Sequence, residues 1–341
     1  MILINDISYL DPYVYGGGGE LFHRELLRRA PSNVVVRRLH ALGRQDHLHN
    51  SPDVIILLDV FNAPAHAALL PQRLASRTRL LRAGKYRRQV ESIVFERDVR
   101  ISWFHNAYVD ICDRPYFPCN GDASEALGMC SCPDVPAGRH FIRGDDGAAC
   151  FAEYSVQFLR QASQQWFVSP LHEACWSCRV PLSNLPDGAS FNTVLPGIVP
   201  FDFIASRLPD SKRDIDLLFV GSFTESKGSI EILERFGNSV VICGTAPDWV
   251  RNRGVQVIEW LPSGEVARLM GRSRKLVLLP QWPEPFGRVV AEAALAGCEL
   301  ITNGNVGATS WDVDLSDPSI YSLSIDECWR KLISGLGTSG R

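Results

Sequence analysis

The chain has 341 residues, of which 45% are hydrophobic and 21% charged, and its formal net charge is -3. These are the values of a globular protein with enough apolar residues for two ordinary domains, and they give no global case for a nucleic-acid partner. No apolar run approaches the roughly 18 residues of a membrane span, so no spanning helix is expected.

In chain order, Met1-Ile2-Leu3-Ile4-Asn5-Asp6 carries no basic start and no long apolar core. It reads as a first strand rather than an export signal, which makes a cytoplasmic protein the expectation. Tyr15-Gly16-Gly17-Gly18-Gly19-Glu20 follows, then a helix over about 21–29. The glycine run lacks the G-x-G-x-x-G spacing of a dinucleotide fingerprint and by itself reads as a turn. Val34-Val35-Val36 and Val54-Ile55-Ile56-Leu57-Leu58 read as strands.

The segment 69–91 is mostly helical and carries Arg73, Arg77, Arg79, Arg82, Lys85, Arg87 and Arg88 with no acid between them. That face is either solvated or docked on an anionic membrane surface, where each basic residue adds about 1 kcal/mol. A strand at 99–104 leads into His105-Asn106, a helix is expected over 152–165, and Trp166-Phe167-Val168 reads as another strand. Strands alternating with helices predict a parallel sheet covered on both faces.

Seven of the ten cysteines fall between Cys112 and Cys178, five of them in a turn-rich insertion at about 106–150. Without an export signal they are thiols or metal ligands rather than disulfides. The insertion has too few apolar residues to fold alone, and a tetrahedral zinc on thiolates would order it. Cys112, Cys119, Cys130 and Cys132 are the preferred ligands, with Cys150 next. An iron–sulfur cluster and unliganded reduced thiols are the alternatives. Cys175 and Cys178 fit a zinc pair or a helix face, while Cys243, Cys298 and Cys328 read as small core residues.

A proline-rich, polar stretch begins near Leu195, and the boundaries follow from it: a first domain over 1–200, a linker over 201–213 and a second domain over 214–341. The alternation resumes at Asp216-Leu217-Leu218-Phe219-Val220, with further strands at Val240-Val241-Ile242 and Val255-Gln256-Val257-Ile258. The predicted fold is α/β, two Rossmann-like domains facing across a cleft, and such a cleft is where a ligand is expected.

The most informative segment is Pro283-Glu284-Pro285-Phe286-Gly287-Arg288-Val289-Val290-Ala291-Glu292-Ala293. The prolines hold Glu284 in a loop, and a helix is expected from Phe286 to Leu295. An eight-residue helical offset spans roughly 12 Å, a reach that suits two distant hydroxyl groups of one ligand. Hydrolytic carboxylates usually face each other across only about 5–9.5 Å. Val277-Leu278-Leu279-Pro280 before the segment and Cys298-Glu299-Leu300-Ile301-Thr302 after it complete a βαβ unit. Glu284 and the turn Asn305-Val306-Gly307-Ala308 then lie beyond the carboxyl ends of the strands, where such sheets bind ligands.

These residues resemble the retaining glycosyltransferases of the GT-B fold, family 4 (glycosyl transferases group 1). The resemblance is strongest over 214–311 and in register over the N-terminal half. Glu284 and Glu292 match the family's two-glutamate motif, and Asn305, Val306, Gly307 and Ala308 match its following glycine loop. Gly17, Gly18 and Gly19 match its N-terminal glycine loop, and His105 its active-site histidine. In Val220-Gly221-Ser222-Phe223-Thr224-Glu225-Ser226-Lys227-Gly228 the lysine is kept, but Ser222 stands where arginine is usual. Some bacterial members also carry a histidine-to-cysteine stretch like the one here. Membrane-associated members touch anionic lipid with a helix in the region of Arg73, Arg77, Lys85, Arg87 and Arg88.

The resemblance implies transfer of a sugar from a nucleotide-diphosphate sugar to a glycan, lipid-linked or small acceptor, with retention and without a catalytic metal. Lys227 and the N–H groups of the 16–19 loop would offset charge on the diphosphate. Glu292 would accept from ribose hydroxyls, Glu284 would hold the donor sugar, and His105 would sit near sugar and acceptor. Ser222 leaves the phosphates one cation short. Another cation compensates, the leaving group differs, or activity is weak or lost. A nucleotide-sugar epimerase and a non-catalytic nucleotide-sugar or metal-binding protein are the alternative functions.

Overall fold

The computed structural model describes residues 2–8, 18–40, 52–58, 90, 92–95, 99–106, 108, 141–143, 150–152, 159–177, 185–334 and 336. The first sheet contains β1 (Ile2–Ser8), β2 (Val34–His40), β3 (Val54–Leu58) and β4 (Arg100–His105). A two-stranded antiparallel ribbon, β5 (Phe141–Arg143) and β6 (Cys150–Ala152), precedes the remaining two strands, β7 (Gln164–Phe167) and β8 (Ser190–Thr193). The second sheet contains β9 (Ile215–Val220), β10 (Val240–Cys243), β11 (Gln256–Ile258), β12 (Ser273–Leu278) and β13 (Glu299–Thr302). The strand orders are β2-β1-β3-β4-β7-β8 and β11-β10-β9-β12-β13, and every pair within these two sheets is parallel.

The helices described from end to end are α1 (Gly18–Arg28), α2 (Pro170–Ser177), α3 (Phe201–Ala205), α4 (Ser229–Phe236), α5 (Asp248–Arg251), α6 (Ser263–Gly271), α7 (Arg288–Leu295) and α8 (Ser319–Ile333). In both sheets the strand order reverses beside the first strand, between β1 and β3 and between β9 and β12. Such reversals open a crevice at the carboxyl ends of the strands. The two crevices face one another.

The central strands are buried on both faces, which explains their continuous apolar runs. In β4, Ile101, Ser102, Trp103, Phe104 and His105 are all buried. Phe104 stacks on Trp166 with centroids 5.3 Å apart and joins a core that continues into the second domain. Trp103, on the opposite face, packs in a separate cluster with Phe167 and Trp176. In the middle of α1, His23 Nε2 lies 2.7 Å from Asp6 Oδ1, both fully buried, which pins the helix to β1.

The second domain returns to the first through its last helix. The Trp329 indole N–H donates to Leu26 O at 2.8 Å, and Arg29 pairs with Asp326 at 2.8 Å. Leu195 N–H donates to Ser324 Oγ at 2.8 Å, and Arg100 Nη1 to Ser334 O at 2.7 Å. Thus α8, which the sequence assigns to the second domain, is held on the first.

Several expectations are corrected. The helix expected over 152–165 does not reach its end: Cys150–Ala152 is a strand and β7 starts at Gln164. β8 was not foreseen, because Ser190–Thr193 is only partly buried and lacks an apolar run. The helix expected from Phe286 starts at Arg288, after the left-handed backbone of Gly287. The 201–213 linker is structured, with α3 and a 3-10 turn at Asp210–Lys212. Arg213 at its end donates to Ser273 O at 2.6 Å and Gly297 O at 2.9 Å, which fastens the linker to the second sheet.

Gly17, Cys112, Cys119, Cys130 and Cys132 lie outside the described residues, as do Arg73, Arg77, Lys85, Arg87 and Arg88. Among the described residues, no group of three or more His, Cys, Asp or Glu could hold a metal, and no helix is long and apolar enough to cross a membrane.

Trp329 is 2% exposed and bonds across the domain boundary, so Trp329→Ala is expected to lose about 3–5 kcal/mol of stability. Urea unfolding followed by tryptophan fluorescence measures it, and a midpoint unchanged from wild type would contradict the seam described here.

Candidate functional site

A cleft of about 400 Å³ separates the two crevices. The first domain contributes Gly18, Gly19 and Phe22 of α1, Asn106 after β4 and Val168 after β7. From the second come Val220, Gly221, Ser222, Thr224 and Lys227 after β9, Trp282 and Glu284 after β12, and Gly287 and Arg288 at the start of α7.

Lys227 is placed by a tight turn. Residues Glu225–Lys227 form a 3-10 turn closed by the Lys227 N–H donating to Thr224 O at 3.0 Å. Gly228 then adopts a φ of 83°, and a Cβ there would run into the Leu279 carbonyl. Only glycine allows this approach, so the lysine-glycine pair exists to bring Lys227 against the loop after β12. The Gln281 N–H donates to Ser226 O at 2.9 Å and closes the same contact. Lys227 Nζ pairs with Glu284 Oε2 and lies 5.3 Å from the centroid of the Trp282 ring.

Glu284 sits in a loop that has been turned into a short parallel bridge. Its N–H donates to Asn305 O at 2.8 Å, and its carbonyl accepts from the Gly307 N–H at 3.0 Å. The Ala308 N–H donates to Phe286 O at 2.6 Å. From the other domain, Ser169 Oγ donates to Pro285 O at 2.5 Å. A Cβ on Gly307 would collide with Pro285 O, so glycine is needed for the two loops to lie this close. The carboxylate is 15% exposed at the cleft wall.

The second glutamate lies behind the wall. Glu292 Oε1 accepts from Arg288 Nε at 2.6 Å, and Arg288 Nη1 donates to Gly197 O at 3.0 Å. Burial raises the Glu292 carboxyl above the ordinary carboxylate range, with the Arg288 charge and hydrogen bond opposing the rise. The buried Tyr321 phenol is also raised, first by its own burial and then by the Glu292 charge.

Of the residues singled out from the sequence, the structure brings Gly18, Gly19, Ser222, Lys227 and Glu284 to the cleft wall. Asn305, Val306, Gly307 and Ala308 stand behind Glu284 and hold its loop. His105, expected beside the sugar, is fully buried, and its neighbour Asn106 faces the cleft. The Gln165 amide donates to Ala162 O at 2.9 Å, which turns Oε1 toward His105 Nε2 at 2.8 Å and assigns the proton to that nitrogen. The ring lies 4.8 Å from Trp176, 5.0 Å from Trp103 and 5.1 Å from Phe167.

Sequence reasoning missed Trp282, Ser169 and Arg288. The spacing of Arg288 and Glu292, four apart on one helix, was a readable pairing signal. Ser169 had none, since its partner is a carbonyl far along the chain.

No protein-family model matches the chain, and no curated protein does. Among solved structures it is similar to Anabaena HepE in complex with UDP and glucose, at 11% identity over 96% of this chain and 91% of that one, with a TM-score of 0.51. It is also similar to sucrose-phosphate synthase from Thermosynechococcus elongatus, at 14% identity over 98% of this chain and 92% of that one, with a TM-score of 0.50. These likenesses establish the fold: two parallel-sheet α/β domains in the GT-B arrangement.

The raised Glu292 carboxyl gives a signed expectation. Below the ordinary carboxylate range the group is protonated in both folded and unfolded chains. Above it the unfolded carboxyl ionises while the buried one resists, so its contribution to stability falls as pH rises, then levels off once the native group ionises. Unfolding of wild type and Glu292→Gln from about pH 4 to about pH 8 is expected to show the difference moving in the variant's favour over that window. The opposite slope would mean that Arg288 outweighs burial.

Proposed function

We propose that the chain transfers a sugar from a nucleoside-diphosphate sugar to a hydroxyl of a glycan, lipid-linked glycan or small acceptor, with retention of anomeric configuration. One observation carries this reading: a lysine and a carboxylate meet in an interdomain cleft, opposite the first residues of a helix from the other domain. The fold shared with nucleotide-sugar enzymes supports it as analogy.

Bond breaking at the anomeric carbon puts negative charge on the leaving diphosphate and positive charge on the sugar ring. Lys227 and the N–H groups at the start of α1 offset the first, so the transfer runs without a catalytic metal. A ligand entering the cleft draws Lys227 away from Glu284 and toward phosphate. Glu284 is then free to hold sugar hydroxyls and to face the developing positive charge. Glu292 accepts from the ribose at the inner end of the site. The 305–308 segment acts through the Glu284 loop it fixes. His105 is a positioning residue that fixes the end of β4 and thereby Asn106.

The test starts from a thermal-shift panel of nucleotide-sugars, beginning with uridine donors because HepE holds UDP. A donor at a hundred times its dissociation constant stabilises by about 2.7 kcal/mol. Transfer is then assayed with the donor that binds. Glu284→Ala is expected to abolish transfer while keeping the wild-type unfolding midpoint, and equal rates in the two proteins would overturn the assignment. Conversion of the donor without any acceptor would indicate an epimerase, and binding with neither reaction would indicate a binding protein.

A further inference from the structure

We infer that Arg288 is the second cation of the cleft and donates its Nη2 to the diphosphate of the bound nucleotide, opposite Lys227. The inference rests on the proposed nucleotide-sugar site and adds to it a residue that selects for the phosphorylated ligand.

Arg288 is the first residue of α7 and lies on the cleft wall with Gly287, Val289 and Glu284. Its side chain is only 16% exposed. Two of its three nitrogens are committed to protein: Nε donates to Glu292 Oε1 at 2.6 Å and Nη1 to Gly197 O at 3.0 Å. Those two bonds fix the plane of the guanidinium, and Nη2 is left without a protein partner among the described residues. An oriented, little-hydrated arginine of this kind is suited to phosphate, because it forms the bond without first losing side-chain freedom.

The surroundings favour an anion at the same place. The start of α1 enters the cleft from the first domain and the start of α7 from the second, so two helix ends, whose first N–H groups take no partner within their own helix, converge there. On the opposing strand end, Ser222 and Thr224 offer hydroxyls and no charge. Lys227 alone would leave a diphosphate half compensated, and its charge is already matched by Glu284. The carboxylate that pairs with Arg288 engages Nε from behind the wall, so the Nη2 edge is not covered by it. Arg288 therefore meets the shortage of positive charge that Ser222 creates. Because Arg288 also holds Glu292, it couples the phosphate end of the site to the carboxylate assigned to ribose.

The test compares wild type with Arg288→Gln by calorimetry, using UDP, ADP, GDP and dTDP and the four matching nucleosides. Loss of a charge-assisted hydrogen bond predicts about tenfold to a hundredfold weaker binding of the preferred diphosphate. Nucleoside binding is expected to change far less, and that ratio separates a lost phosphate contact from a general loss of fold. Equal diphosphate affinity in the two proteins would overturn the role of Arg288 and leave the proposed function standing. No diphosphate binding by wild type would overturn both. A crystal structure of the wild-type chain with the tightest diphosphate reads the same point without a variant. Nη2 within hydrogen-bond distance of a phosphate oxygen supports the inference, and a guanidinium bonded to Glu292 and Gly197 alone refutes it.

Discussion

The site depends on the short parallel bridge between Glu284 and Val306. A carboxylate on an unsupported loop would sample many positions, and its reach into a cleft would be worth little. Here the loop after β12 exchanges backbone hydrogen bonds with the turn after β13 on both sides of Glu284. Gly307 permits the close approach, and Ser169 from the other domain seals it by donating to Pro285 O. The backbone that carries the carboxylate is thus held by two segments distant in sequence, and the domains must stay docked for it to remain so.

Charge in the cleft is balanced in pairs. Lys227 is set against Glu284 and Arg288 against Glu292, so each of these four groups has a counterion in a partly buried site. The two pairs differ in what a ligand can do with them. Lys227 and Glu284 both reach the cleft and can turn from each other to opposite ends of a substrate. Glu292 lies behind the wall and holds Arg288 through Nε, while Arg288 itself lines the cleft with Nη2 unused by protein among the described residues. An anion is the species that gains most from this arrangement.

The division into domains is less clean than two sheets imply. One apolar core runs from Phe22 and Phe104 through Ile198 to Tyr321 and Trp329. The indole of Trp282, beside Glu284, belongs to the core of the first domain and meets Tyr108 edge-on at 6.2 Å. Closure of the cleft is therefore built from ordinary hydrophobic burial on one side and hydrogen bonds from Ser169, Leu171 and Trp311 on the other. Movement of one domain would shift the aromatic floor and the Glu284 loop together.

Local chemistry made much of this legible in the sequence. Continuous apolar runs announced buried parallel strands, and the prolines around Glu284 announced a loop. In each case the cause lies within a few residues of its effect. Contacts far apart in the chain were not legible. Nothing local to Ser169 points to Pro285, nothing local to Trp329 points to Leu26, and the fully buried His105 reads the same in sequence as a histidine on the wall. Sequence alone determined two wound sheets and the residue types at the ends of their strands, because periodicity and backbone restriction act over short range. Tertiary structure alone decided which of those residues face the cleft and that Arg288 joins them, because that depends on how the two sheets dock and on which charges burial brings together.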